Sequence, residues 1–215
     1  MIDVNSLTAL TIGQILSMCF FAFATSASPG PVNIVLVISG ARFGVARSFP
    51  YVFGATVGFI GVLLIAGSGL GAALGNHPFV KNGLSLGGAA YMGFIAYRIA
   101  RADIGEELEG DISSVPGFVA GVIAQISNPK AWIVSISAVS IYVGDSKNFA
   151  ITLVIFCTIF FVICGLSLLG WSAMGAYARK RISNMRVFNF MMAILLLASI
   201  GAMLVEVVVG SLSII

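Results

Sequence analysis

Six long stretches of this chain are apolar and carry little charge. They run from about Leu7 to Ala41, Phe49 to Leu74, Phe79 to Ala100, Gly117 to Val143, Phe149 to Ala178 and Val187 to Val209. About 20 consecutive apolar residues cross a hydrocarbon core as a helix. The expected fold class is therefore all-α, a polytopic membrane protein with six transmembrane helices. A barrel is excluded, because its strands alternate over about ten residues and these runs do neither. Composition agrees: 59% of residues are hydrophobic and 9% charged, against about 25% charged in soluble domains.

The net charge of +3 is small, and no basic patch with interleaved aromatics is present. That removes nucleic acid as a partner. Cys19, Cys157 and Cys164 all lie in apolar stretches without metal-ligand spacing, so they read as small apolar filler. Neither a metal nor a cofactor is expected. His77 stands beside Pro78 in a predicted loop and reads as solvated. Small residues near Ala27 and Ser28 imitate a signal-peptide cleavage site. No basic residue precedes Arg42, however, whereas a signal peptide needs a basic start. The first stretch is expected to stay as a helix.

Two of the stretches are interrupted. At about 1.5 Å per residue, Leu7 to Ala41 would reach roughly 50 Å, well beyond a core of about 30 Å. The break is supplied by Ser28-Pro29-Gly30-Pro31. Proline has no amide hydrogen and clashes with the preceding turn, which frees the carbonyls of Thr25 and Ala27. A second break, Ser127-Asn128-Pro129-Lys130, falls within the fourth stretch and frees the Gln125 carbonyl. An unpaired carbonyl in lipid costs several kcal/mol, so such backbone is tolerated only beside a cavity or other polar groups. Lys130 adds a charge near mid-membrane, priced at roughly 2.5–3.5 kcal/mol on insertion scales.

Each break lies in the first helix of a three-helix half, about 1–105 and 116–215, in a single transporter domain spanning 1–215. A repeat with an odd number of spans inserts in opposite orientations. The expected architecture is thus two inverted-repeat halves, with helices 1 and 4 interrupted near the midplane. Paired interrupted helices point to a transporter site. Helix N-termini and Lys130 suit a carboxylate, and the freed carbonyls suit an ammonium. Asn33 and Asn128 both donate and accept. A small zwitterion, such as an amino acid or a derivative, fits this inventory.

Arg42, Arg47, Arg98, Arg101, Arg179, Lys180, Arg181 and Arg186 fall in loops 1–2, 3–4 and 5–6, while only Lys81 and Lys147 lie opposite. The first group is expected in the cytoplasm, with both termini outside. The acidic loop at 101–116 reads as a solvated cytoplasmic linker. Glycines four apart, among them Gly54/Gly58 and Gly117/Gly121, suit close helix packing.

These residues resemble the LysE/RhtB family of amino-acid exporters. Ser28-Pro29-Gly30-Pro31-Val32-Asn33 is similar to its first-helix signature. Arg42-Phe43-Gly44, Gly54 to Gly58, Gly88 to Tyr91 with Tyr97-Arg98, Gly117-Phe118 through Asn128-Pro129-Lys130-Ala131, and Trp171 with Gly175 continue the likeness. It implies a six-helix inner-membrane exporter of a family that generally uses the proton gradient, and the coupling ion of this chain stays open. Gly58-Phe59 and the Gly88 to Ala100 stretch look most like the branch that exports cysteine and O-acetylserine. Many members of the family carry an acid where Phe59 stands, so a carboxylate proton relay is not expected there. Glu206 is the remaining deeply placed acid and reads as interfacial.

The residues expected to bind and translocate solute are Pro29, Gly30, Pro31, Asn33, Tyr91, Gln125, Asn128, Pro129, Lys130 and Trp171; none is expected to be catalytic. The competing readings are a membrane enzyme acting on lipid-linked groups and a structural subunit of a membrane complex. The first needs clustered His, Asp or Glu at the interface, where the chain offers one histidine and no intramembrane acid pair, and the second leaves two interrupted helices unexplained. Substrate identity, the coupling ion and its stoichiometry, the direction of net flux and a monomeric or homo-oligomeric state are not encoded legibly.

Overall fold

Helix boundaries in the computed structural model follow from capping and from proline. The structure describes residues 10–69, 90, 93–94, 116–144, 146, 148–181, 184, 187–188, 190–195, 197–198, 201 and 205. Among these, every regular element is a helix. Helix α1 spans Ile12–Ala27, α2 Pro31–Gly67, α3 Phe118–Ile126, α4 Pro129–Tyr142 and α5 Phe149–Arg179. The described parts of the last apolar stretch are helical as well. Most of the third stretch and the acidic loop lie outside the described residues.

Helix α1 opens with a capping box. The Thr11 side chain accepts from the Gln14 amide, and the Gln14 side chain accepts from the Thr11 amide. It ends at Ser28, whose backbone turns extended ahead of Pro29. Pro31 then occupies the first position of α2, where a missing amide hydrogen costs nothing.

Helix α2 is two helices joined at Gly44, whose φ of 79° is the left-handed conformation that glycine tolerates best. Ser39 and Ser48 side-chain oxygens meet at 2.7 Å across this joint. In a straight helix they would stand about 13 Å apart along the axis, so the chain bends sharply there. Ser48 Oγ also donates to the Gly44 carbonyl at 2.9 Å. The loop expected between Ala41 and Phe49 is therefore a single-residue joint with helix on both sides.

The first segment of α2 is buried all round from Pro31 to Ala41, as suits the central helix of a bundle. It packs against α5 through two glycines. A Cβ on Gly40 would overlap the Ser172 carbonyl, and one on Gly175 would overlap the Val37 carbonyl. The second segment meets α3 in the same way, Gly54 against Phe118 and Gly121 against Tyr51. Backbones this close exchange dispersion and weak Cα–H···O contacts that a methyl group would prevent.

The outer faces are apolar. Ile12, Leu16, Phe20 and Phe23 of α1 and Val154, Phe161, Val162 and Leu166 of α5 are all exposed. Patches on this scale are a liability in water and the norm against lipid. Helices α2 and α5 are long and apolar enough to cross a membrane.

Among the described residues, the Gly44 joint and the end of α5 come together. Arg179, at the close of α5, donates from Nη1 to the carbonyls of Arg42 at 2.8 Å and Ala41 at 3.3 Å. It thereby satisfies orphan carbonyls at the C-terminal end of the first segment of α2. Loops 1–2 and 5–6 thus share a face, the pairing that their charge led us to expect.

Candidate functional site

The two helix breaks meet. Lys130, the second residue of α4, sends its Nζ across to the first break. There it donates to Ser28 Oγ at 2.7 Å, to the Ser28 carbonyl at 2.9 Å and to the Pro29 carbonyl at 3.4 Å. The lysine lies directly over Gly30, where an added Cβ would stand 3.4 Å from Nζ and 3.5 Å from Cδ. Gly30 is in the extended region, and an added Cβ at those distances would be in ordinary van der Waals contact, so neither its backbone nor the lysine demands glycine there.

Nearly every carbonyl released at the first break has a donor. The Ser28 amide returns to Ala24, and Ser28 Oγ donates to the Thr25 carbonyl at 2.8 Å. Asn33 Nδ2 bridges the Ser26 and Ser28 carbonyls, each at 3.0 Å. One buried amide so pins both sides of the interruption. At the second break the Asn128 amide bonds the Gln125 carbonyl at 3.1 Å. Asn128 Oδ1 caps the Lys130 amide, Asn128 Nδ2 donates to Gln125 Oε1, and Trp132 Nε1 donates to the Ile126 carbonyl at 2.7 Å. This corrects one expectation. The Thr25 and Gln125 carbonyls are not open acceptors, because the chain's own turn satisfies them. Ala27 lines an outer groove instead.

Between the breaks is a cavity of about 30 Å³. Its polar wall is Thr25, Ser26, Asn33, Gln125, Asn128 and Lys130, and its apolar wall includes Phe59, Phe160 and Leu168. Phe59 stacks on Phe160 with ring centroids 4.5 Å apart. So the position where many family members carry an acid does face this site, as an aromatic wall. None of the described residues is Asp or Glu, and Lys130 Nζ bonds the neutral oxygens of Ser28 and Pro29. Among the described residues, no three His, Cys, Asp or Glu side chains gather as a metal site.

Of the residues expected to bind solute, Gly30, Asn33, Gln125, Asn128 and Lys130 line this cavity. Pro29 supplies a carbonyl to Lys130, while Pro31 and Pro129 begin the two helices that start there. Trp171 does not join them. It flanks the buried stripe of Cys164 and Leu168, packs partly against the core and lines a groove of about 680 Å³ between α1 and α5, beside Phe20 and Met174. Tyr91 and Glu206 lie outside the described residues. Sequence reasoning passed over Ser26, Ser28, Trp132, Phe160 and Cys164. Ser28 was the one with a signal, as the residue ahead of the first proline.

Comparison with known proteins places this arrangement. A cysteine/O-acetylserine efflux protein of Klebsiella pneumoniae is 28% identical over 188 residues, which cover 86% of this chain and 94% of that protein. No solved structure matches the chain significantly. The sequence model described as LysE type translocator matches residues 23–206, a span that takes in both breaks and all five helices described above except the start of α1. The chain is a membrane protein and belongs to the LysE translocator family.

Proposed function

We propose that this chain exports small zwitterionic amino acids or their derivatives across the cytoplasmic membrane as a secondary transporter, and that it is not an enzyme. The observation that carries the reading is the contact of Lys130, from one interrupted helix, with Ser28 and Pro29 of the other. A charge without an acidic partner among the described residues, at the meeting of two helix N-termini, is a place where a carboxylate gains. Asn33, Gln125 and Asn128 supply the remaining polar contacts. The similarity to a cysteine/O-acetylserine efflux protein favours a small polar side chain.

The cavity of about 30 Å³ has room for about two water molecules and is too small for an amino acid. Binding then requires the helices around it to separate. In this reading the two halves rock about the fixed site, opening it to each side in turn. The halves are inverted repeats of three helices, and the clustered Arg42, Arg47, Arg179, Lys180 and Arg181 face the cytoplasm. Coupling to protons does not run through position 59, which is Phe59.

Counterflow in proteoliposomes tests the substrate class. A panel of labelled amino acids, with and without a pH gradient, is expected to give saturable exchange for those with small polar side chains. Exchange of none of them would remove the proposal. A pH gradient that changes the steady-state accumulation would identify protons as the coupling ion.

A further inference from the structure

The oxygens that hold Lys130 form a binding site in their own right. Ser28 Oγ commits its hydrogen to the Thr25 carbonyl, so toward the lysine it can only accept. The Ser28 and Pro29 carbonyls are acceptors by nature. Three acceptors and no donor thus converge on one nitrogen at 2.7, 2.9 and 3.4 Å. An ammonium brings three donor hydrogens and no acceptor, which is the complement of this set.

We propose that Ser28 Oγ, the Ser28 carbonyl and the Pro29 carbonyl are the socket for the substrate's primary ammonium, and that Lys130 plugs it when no substrate is bound. The inference rests on the transport reading above and adds to it an exchange of partners. The incoming ammonium replaces Nζ in the socket, and the displaced lysine turns to the carboxylate of the same molecule. A donor for that carboxylate waits nearby. Ser26 Oγ is buried in the cavity wall, which Cys164 also lines, and has no hydrogen-bond partner among the described residues. A thiol is a weak partner, so a carboxylate oxygen is the better one. Plugging also explains how a break in lipid stays satisfied without solute.

The test uses purified full-length protein in detergent and simple cations. Lys130→Ala deletes Cγ, Cδ, Cε and Nζ, the equivalent of n-propylammonium. Lys130→Met keeps the stem and opens room for an ammonium ion alone. Each variant is expected to be stabilised saturably by its cation in thermal melting. Wild-type protein, whose socket is plugged, is expected to show no such shift. The uncharged 1-propanol is expected to do nothing, and adding Ser28→Ala to Lys130→Ala is expected to weaken n-propylammonium binding about tenfold or more, the worth of one charge-assisted hydrogen bond. Folded variants that ignore both cations overturn the proposal. If neither variant folds alone, refolding yield with and without its cation is scored in the same way, and no gain overturns it. Cation binding without amino-acid transport by the wild type would leave the socket standing and sink the transport reading; transport without cation binding would do the reverse.

Discussion

Asn33 shows how a single side chain can make an interruption tolerable. Its amide is the donor for two carbonyls, those of Ser26 and Ser28, on the far side of the first break. A buried acceptor left without a donor costs about 1–3 kcal/mol. Asn33→Ala is therefore expected to lower stability by about 2 kcal/mol or more, measured by thermal melting in detergent. An unchanged melting temperature would mean the break is held by something else. The importance of Asn33 and Lys130 was legible, because an amide and a charge in an apolar run need a reason. The role of Ser28 was not. It depends on where three backbone and side-chain oxygens point once the helix has ended, and no spacing rule encodes that direction. The same applies to the Thr25 and Gln125 carbonyls, which sequence reasoning left open and local turns close.

Helices in this bundle are set at their distances by glycine. Gly40 and Gly175 admit the neighbouring backbone where the first segment of α2 crosses α5, and Gly54 and Gly121 do so where the second segment crosses α3. Overpacking a close contact costs about 1–3 kcal/mol, occasionally more, and here the obstacle is rigid backbone. Gly175→Ala is expected to fall at or above the top of that range and to reduce the yield of folded protein. Gly170→Ala, five residues earlier in α5 with open space around it, is expected to be neutral or to gain a few tenths of a kcal/mol from helix propensity. Equal melting temperatures for the two variants would contradict the packing. Gly54, Gly58 and Gly121 could be read from spacing as close-packing positions, whereas Gly117, chosen by the same rule, has open space around it; the partners could not be read, since each helix carries only half of a crossing. A boundary between Ala41 and Phe49 was legible, but not that it falls on Gly44. Nor was the joint of one residue that Gly44 makes, stitched by Ser39 and Ser48, because a left-handed glycine within a helical run leaves no periodic trace.

Across the whole molecule, the all-helical class and the membrane environment followed from run length alone, and the likeness to LysE-type exporters from two proline motifs. The meeting of those motifs is a tertiary fact that each could only suggest. Tyr91 and Trp171 were chosen as aromatics near a supposed centre. Trp171 faces an outer groove, since aromatics in such helices serve packing as readily as binding. The shared face of Arg42 and Arg179 carries an orientation prediction: cysteines placed at Arg47 and Lys180 are expected to react with an impermeant maleimide from the cytoplasmic side only. Labelling of either from outside would reverse the topology.

The central claim is that Lys130 holds the charge of the transported solute between two helix breaks, and it is tested most directly by amino-acid efflux from membrane vesicles carrying Lys130→Ala at the wild-type protein level. Removing one partner of a buried charged contact costs about 3 kcal/mol or more, so transport is expected to fall about a hundredfold or further while the protein stays in the membrane. Undiminished efflux by that variant would contradict the account.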